Sequence, residues 1–291
     1  MEKPNFVIGI GSQRAGSTLL HRILDECTDI FMHPVKELHY FDTLYDVRDK
    51  NVLTEYSKRQ LNRELDRIIE AKRYGFMDKK YKTYLRANKI LATKKVEDIE
   101  YIDLYRPSIL GNSYLGEITP EYMILPDEGL QKMVGTVGKE SKIILIARHP
   151  VQRFVSAFKL LKVYGGQTIV PEEFNDMLVD TLNSSPAWMS QQDELNDYQT
   201  VLKQYKQHFT NVLFLSYDNI VNDVEKTHRE LEAFLNIPVD KQKYETMLTN
   251  KVNAIGETAS VTKETVNVLA KRYTLQIAFL ESYFGKSKCV L

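Results

Sequence analysis

The sequence predicts an α/β fold: a P-loop-like parallel sheet flanked by helices on both faces, in a single domain spanning 1–291 with a helical insertion at about 48–106. Three observations carry this. Apolar β-runs alternate with stretches of helical periodicity, as in parallel sheets covered on both faces. The first β-run enters a glycine-flanked loop that opens a helix. A later β-run ends in a cation followed shortly by a proline.

In chain order, residues 6–10 form the first strand and Gly11 and Gly16 bound the loop. Leu19, Leu20, Ile23 and Leu24 then fall on one helix face. The most charged part, 48–106, carries Leu61, Leu65, Ile68 and Lys72 at helical spacing, then Tyr81, Tyr84 and Leu85. It reads as several amphipathic helices inserted before the next core element. Residues 116–124 return the chain to the sheet, 126–137 form a helix, and 143–147 form a strand ending at Arg148. Pro150 suits the first turn of a helix, where its missing N–H costs nothing. That helix has Phe154, Val155, Phe158 and Leu161 on its apolar side. Residues 171–182 and 191–209 read as helices, 212–216 as a short buried strand, and Val224, Leu231, Phe234 and Leu235 as the next helix. Val266, Leu269, Tyr273, Ile277, Leu280 and Phe284, three and four apart, predict one C-terminal helix.

Composition narrows the class. The 291 residues suit one α/β enzyme domain, and 43% hydrophobic with 27% charged residues is a soluble globular profile. Thirty-nine basic residues balance 39 acidic ones. No global field therefore favours nucleic acid or a membrane surface, and neither is expected as a partner. Glu2, Lys3 and Pro4 lead straight into the first strand, with no apolar leader or spanning run, so the cytoplasm is the expected location. Cys27 and Cys289 alone make neither a disulfide framework nor a metal site.

The loop departs from the nucleoside-triphosphate pattern G-x-x-x-x-G-K-[ST]. Gly16 is followed directly by Ser17 and Thr18, so no lysine stands where the β- and γ-phosphates would be held, and Arg14 lies inside the loop instead. Its N–H groups and the helix N-terminus still suit an anion. This argues against ATP or GTP and for a nucleotide with a different 5′ end. At the end of strand 143–147, where a kinase or GTPase often places an Asp for Mg²⁺, stands Arg148; with Ser156 it can grip a second phosphate. Each segment alone has a plainer reading, as turn glycines or a surface arginine on an ordinary βα unit.

Together, Arg14-Ala-Gly-Ser-Thr18 and Arg148-His-Pro-Val-Gln-Arg153-Phe-Val-Ser156 resemble the PAPS-dependent sulfotransferases (PAPS is 3′-phosphoadenosine 5′-phosphosulfate). Two further segments resemble the branch with heparan-sulfate-type and many bacterial enzymes. Lys36-Glu-Leu-His-Tyr-Phe-Asp42 matches K-E-x-H-[FY]-F-D, and Gly116-Glu-Ile-Thr-Pro-Glu-Tyr122 matches G-E-[KI]-T-P-x-Y. The resemblance implies that Ser12, Gln13, Arg14, Ala15, Gly16, Ser17 and Thr18 hold the 5′-phosphosulfate. It places Arg148 and Ser156 on the 3′-phosphate and Lys251 in a loop that closes over the nucleotide.

Sulfuryl transfer needs a general base for the acceptor hydroxyl and cations at the leaving phosphate, with no obligatory metal. The resemblance marks Glu37 as the base and gives Arg14 the leaving group, with PAP as product. His39 either orients the substrate, shares the proton, or is structural. The expected acceptor is a carbohydrate or small natural product, and the insertion is expected to shape its side of the cleft. Heparan-sulfate-type members carry a lysine where this chain has Ile118, which leaves Lys36 and Lys251 as candidates for a second cation. Glu117 reads as structural, Tyr122 as packed under the site or facing the acceptor, and Trp188 as an adenine platform or core. A P-loop kinase or NTPase, and a non-catalytic binding homologue, are the rival readings.

Overall fold

The computed structural model describes residues 4–70, 78–249 and 261–286. Along the first half run β1 (Asn5–Gly9), α1 (Ser17–Cys27), β2 (Phe31–Met32), α2 (Tyr40–Leu44), α3 (Lys50–Ile69), α4 (Lys79–Thr93), β3 (Tyr114–Ile118), α5 (Asp127–Val137) and β4 (Lys142–Ala147). The second half holds α6 (Pro150–Tyr164), α7 (Phe174–Ser184), α8 (Pro186–Glu194), α9 (Tyr198–His208), β5 (Asn211–Ser216), α10 (Tyr217–Asn222), α11 (Val224–Leu235), α12 (Lys241–Thr249), α13 (Lys263–Arg272) and α14 (Thr274–Phe284). No helix among the described residues is long and apolar enough to cross a membrane.

Among the described residues the strands form one parallel sheet in the order β2-β3-β1-β4-β5. The central strands bury both faces, so they read as unbroken apolar runs. Phe6, Ile8, Leu115, Ile143 and Leu145 pack on one face against Tyr101, Tyr105 and Tyr122. Val7, Ile118, Ile144 and Ile146 pack on the other against Leu20, Ile23 and Leu24 of α1 and Leu231 and Leu235 of α11. Phe154, Phe158, Phe174, Leu269 and Tyr273 make a separate cluster joining α6, α7 and α13.

β1 lies between β3 and β4, so the chain leaves it toward one edge and later resumes on its other side. Ligands of open α/β sheets sit at the strand carboxyl ends beside such a reversal. The pairing even continues past β1: Ile10 N–H donates to Ile144 O at 2.9 Å and Ser12 N–H to Ile146 O at 3.0 Å. A Cβ at Gly11 would come within 2.6 Å of Ile146 N, so only glycine lets the loop lie this close to β4.

The structure departs from the sequence expectations in four places. The helix expected over 191–209 is two, α8 and α9, because Asn196 turns its side chain to Arg153 and Asp197 caps α9 through Thr200 N–H. The C-terminal helix breaks at Tyr273, which turns inward and is 1% exposed against Phe154. In α3 the stripe of Leu65 and Ile68 faces outward, and Leu53, Ser57 and Glu64 are buried instead. The two-residue edge strand β2 is too short to leave a pattern in the sequence.

Candidate active site

The glycine loop is shaped as an anion cradle. Gly16 caps α1 in the left-handed conformation, φ 98°, and no side chain caps the helix. The first-turn N–H groups therefore lack an intrahelical or side-chain partner, which is the condition for binding a phosphate there. A side chain at Gly16 would collide with the ring of Tyr217, so both the φ and the space demand glycine. Ser12 faces away: its Oγ donates to Leu195 O at 2.7 Å and its carbonyl accepts from Ala15 N–H. Ser12 and Ala15, both 0% exposed, anchor the loop from behind, while Gln13, Arg14, Gly16 and Thr18 are half-buried along it.

The second phosphate segment meets this loop. Arg14 Nε donates to Ser156 Oγ on α6 at 3.0 Å, and Arg148 Nη1 donates to Arg14 O at 3.3 Å. Arg148 also lies over the Tyr217 ring, 5.0 Å from its centroid. Burial, and then repulsion from Arg148, push the Arg14 pKa below its ordinary value. Two guanidiniums held this close suit an anion between them. Arg153, 0% exposed, sits behind them and donates to Asn196 Oδ1 at 2.6 Å, to Gln192 Oε1 at 3.0 Å and to Gln13 O at 3.4 Å. It is a buried cation satisfied by neutral oxygens, and it ties the loop to the turn after α8.

The segment after β2 carries a cluster of titratable groups. Lys36 Nζ donates to Glu37 Oε1; His39 Nε2 stands 3.6 Å from Glu37 Oε2, and His39 Nδ1 donates to Asp42 Oδ2 at 2.6 Å. Burial alone would raise the Glu37 pKa, but contact with His39 and the charge of Lys36 pull it down to about 2. Burial would likewise lower that of His39, but its partners Asp42 and Glu37 push it up to about 10. The ring lies between two carboxylates, which favour its protonated form.

The next strand end fixes this segment. The buried carboxylate of Glu117 accepts from Leu38 N–H at 3.2 Å, Thr119 Oγ1 at 2.7 Å, Tyr101 OH at 2.7 Å and Tyr122 OH at 2.9 Å. Thr119 Oγ1 in turn accepts from His39 N–H at 3.4 Å. Glu117 thus grips the peptide between Glu37 and His39, and Tyr122 packs under the site. These constraints hold Glu37 and His39 in left-handed backbone, φ 64° and 51°; Arg14, φ 73°, is a third. Only two other non-glycine residues among those described have positive φ, so strained backbone concentrates here, as it does at functional sites.

Glu121 was not anticipated in the sequence. It is 8% exposed, and its Oε1 accepts from Gln13 Nε2 at 3.1 Å, while Oε2 is buried with no partner. Burial raises its pKa; the charge of His39 opposes this. Glu37, His39 and Glu121 each bring one ligand-type atom within 4.8 Å of the others. Among the described contacts the trio is joined by the ion pair of His39 with Glu37. Ile118, 0% exposed, packs in the core on the opposite sheet face with the residues of α1. Trp188 packs in the core on Phe154 and Phe158, and Lys251 lies outside the described residues.

The family model described as "Sulfotransferase family" matches residues 4–241, most of the chain, including the glycine loop, the segment 36–42, β3 and the segment from Arg148 to Ser156. The chain belongs to the sulfotransferase family. Among solved structures, the sulfotransferase from Alicyclobacillus acidocaldarius is similar in fold, with TM-score 0.60 at 17% identity over 98% of this chain and 97% of that one. The sulfotransferase STF9 from Mycobacterium avium gives TM-score 0.50 at 12% identity over 97% of this chain and 77% of that one. No curated protein matches the chain in sequence.

For this member of the sulfotransferase family the charged network makes a stability prediction. His39, with its pKa raised from 6.5 to about 10, contributes stability that is complete below pH 6.5 and lost as pH rises toward 10. The melting-temperature gap between the wild type and His39→Gln should therefore narrow steadily from neutral pH to about 10. A gap that stays constant would mean His39 is neutral in the folded protein.

Proposed function

We propose that the chain moves the sulfuryl group of PAPS to a hydroxyl of a carbohydrate or small natural product and releases PAP. The observation that supports this best is the meeting of the two phosphate segments at Arg14 and Ser156, with Glu37 on the third wall. In this reading PAPS supplies the activated sulfuryl group. The uncapped N-terminus of α1, with Gln13, Arg14, Gly16, Ser17 and Thr18, holds its 5′ end, while Ser12 and Ala15 keep the loop in shape. Arg148 and Ser156 hold the 3′-phosphate, and Lys251 closes the loop over the nucleotide. Glu37 takes the acceptor proton, His39 and Asp42 hold Glu37 in place, and Arg14 neutralises the departing phosphate. With Ile118 on the other sheet face, Lys36 is taken as the second cation. Turning it from Glu37 toward the leaving group would free Oε1 and raise the basicity of Glu37 in one movement. The insertion reaches the acceptor side through Tyr56 of α3, whose hydroxyl feels the charge of Glu37.

The test is ligand choice. Two phosphate sites at one sheet edge call for a nucleotide phosphorylated at both the 3′ and 5′ positions. A ligand at 100 times its dissociation constant stabilises by about 2.7 kcal/mol. PAP should raise the melting temperature by that order, and AMP and ATP by far less. Equal effects of PAP and AMP would remove Arg148 and Ser156 from the 3′-phosphate. Turnover should survive EDTA; Mg²⁺-dependent ATP turnover would favour a kinase.

A further inference from the structure

We propose that this site reads its acceptor as a vicinal diol, Glu37 taking the hydroxyl that becomes sulfated and Glu121 the hydrogen bond of the hydroxyl on the neighbouring carbon. This rests on the sulfotransferase reading and adds a substrate class to it. Glu121 is more than nine-tenths buried, and Gln13 occupies only its Oε1. Oε2 is closed off from solvent yet has no donor, an arrangement that costs free energy unless a ligand supplies one. Among the described side chains, His39 donates to Asp42 and faces Glu37, and Lys36 is on Glu37. Arg48, whose charge acts on Glu121 and whose Nε is likewise buried without a partner, makes no hydrogen bond to Oε2.

The donor must arrive with the acceptor, because Glu121 lies between the glycine loop and Glu37. One hydroxyl carries one hydrogen. If Glu37 receives it, Glu121 Oε2 is left bare, so a second hydroxyl is required. The carboxylates of Glu37 and Glu121 present atoms within 4.8 Å of each other. Hydroxyls on adjacent carbons span that gap, each with an O–H···O bond of about 2.7 Å. A neutral O–H suits the place better than an ammonium group, since the charges of His39 and Arg48 already act on Glu121 while Glu37 and Asp42 oppose them. Glu121 stands at the variable position of its motif, so nothing in the motif requires a carboxylate there.

The experiment compares matched pairs, trans-cyclohexane-1,2-diol with cyclohexanol and catechol with phenol. Binding to the PAP-loaded protein is measured by NMR or calorimetry, and sulfation is followed with PAPS. The wild type should prefer the diol about 10- to 100-fold, the worth of a hydrogen bond to a charged group. Glu121→Met should collapse that ratio toward one. Should the methionine variant not fold, Glu121→Gln decides, since its neutral amide keeps the shape and must still reduce the ratio. Equal binding within each pair, no binding of either member, or a ratio that survives substitution overturns the proposal. Stabilisation by PAP with no diol preference would end this inference and leave the sulfotransferase reading standing.

Discussion

Glu37→Gln is expected to lower kcat by about 10²–10⁴-fold, the usual loss when a positioned general base is removed. That is about 3–5 kcal/mol of barrier at 1.36 kcal/mol per decade. Glutamine keeps the length of Glu37 and can still contact Lys36 and His39, but it cannot accept the acceptor's proton. PAP should bind the variant nearly as well as the wild type, because Arg14 and Arg148 are untouched. Single-turnover sulfuryl transfer with saturating PAPS, set beside PAP affinity, separates the two effects. His39→Ala should cost less, since His39 acts on Glu37 and not on the acceptor. A Glu37→Gln enzyme with near-normal kcat would remove Glu37 from the mechanism.

Arg14→Ala should damage both parameters. Arg14 bonds Ser156, and in the proposed reading it faces the leaving phosphate. Loss of one preorganised donor to developing negative charge typically costs about 10²–10³-fold in kcat. Loss of a charge-assisted ground-state bond costs about 10- to 100-fold in affinity. Arg14→Lys should recover part of the affinity through its charge but little of kcat, because a point charge lacks the planar fork. Calorimetry with PAP and initial rates with PAPS distinguish these outcomes. An Arg14→Ala enzyme weakened only in PAP affinity would place Arg14 on the nucleotide and away from the reacting bond.

The strand–loop–helix segments at 6–18 and 143–156 were legible because each is local. A strand, a loop and a helix start lie together in sequence, and the chemistry of an N-terminal anion site is carried by backbone within a few residues. The segment 36–42 could be singled out for the same reason, though the contact of Asp42 with His39 could not. What the sequence hid is contact made across the chain. Arg153 belongs to a visible motif, yet its burial depends on Gln192 and Asn196, 39 and 43 residues further on, which local periodicity assigned to a helix. Glu121 occupies a position its motif leaves free, and its link to Gln13 spans 108 residues. Ile118 could be seen to differ from lysine, but only the register of β3 shows that its side chain faces the other sheet surface. The stripe on α3 misled because Leu53 and Ser57 decide its buried face, not the larger apolar residues.

Arg14, Glu37 and His39 share left-handed backbone, at a cost of roughly 1–3 kcal/mol each for side chains that bear a Cβ. Glycine occupies that region without penalty, and asparagine tolerates it. Backbone preference and side-chain contacts therefore pull these three positions in opposite directions, since the ion pairs of Glu37 and His39 offset what their φ costs. A lineage that kept the fold but abandoned its reaction would be free to drift to glycine or asparagine there. The identities at 14, 37 and 39 serve as a record: charged residues held against their own backbone preference mark a branch still under pressure to catalyse, and relaxed ones mark a branch that has retired.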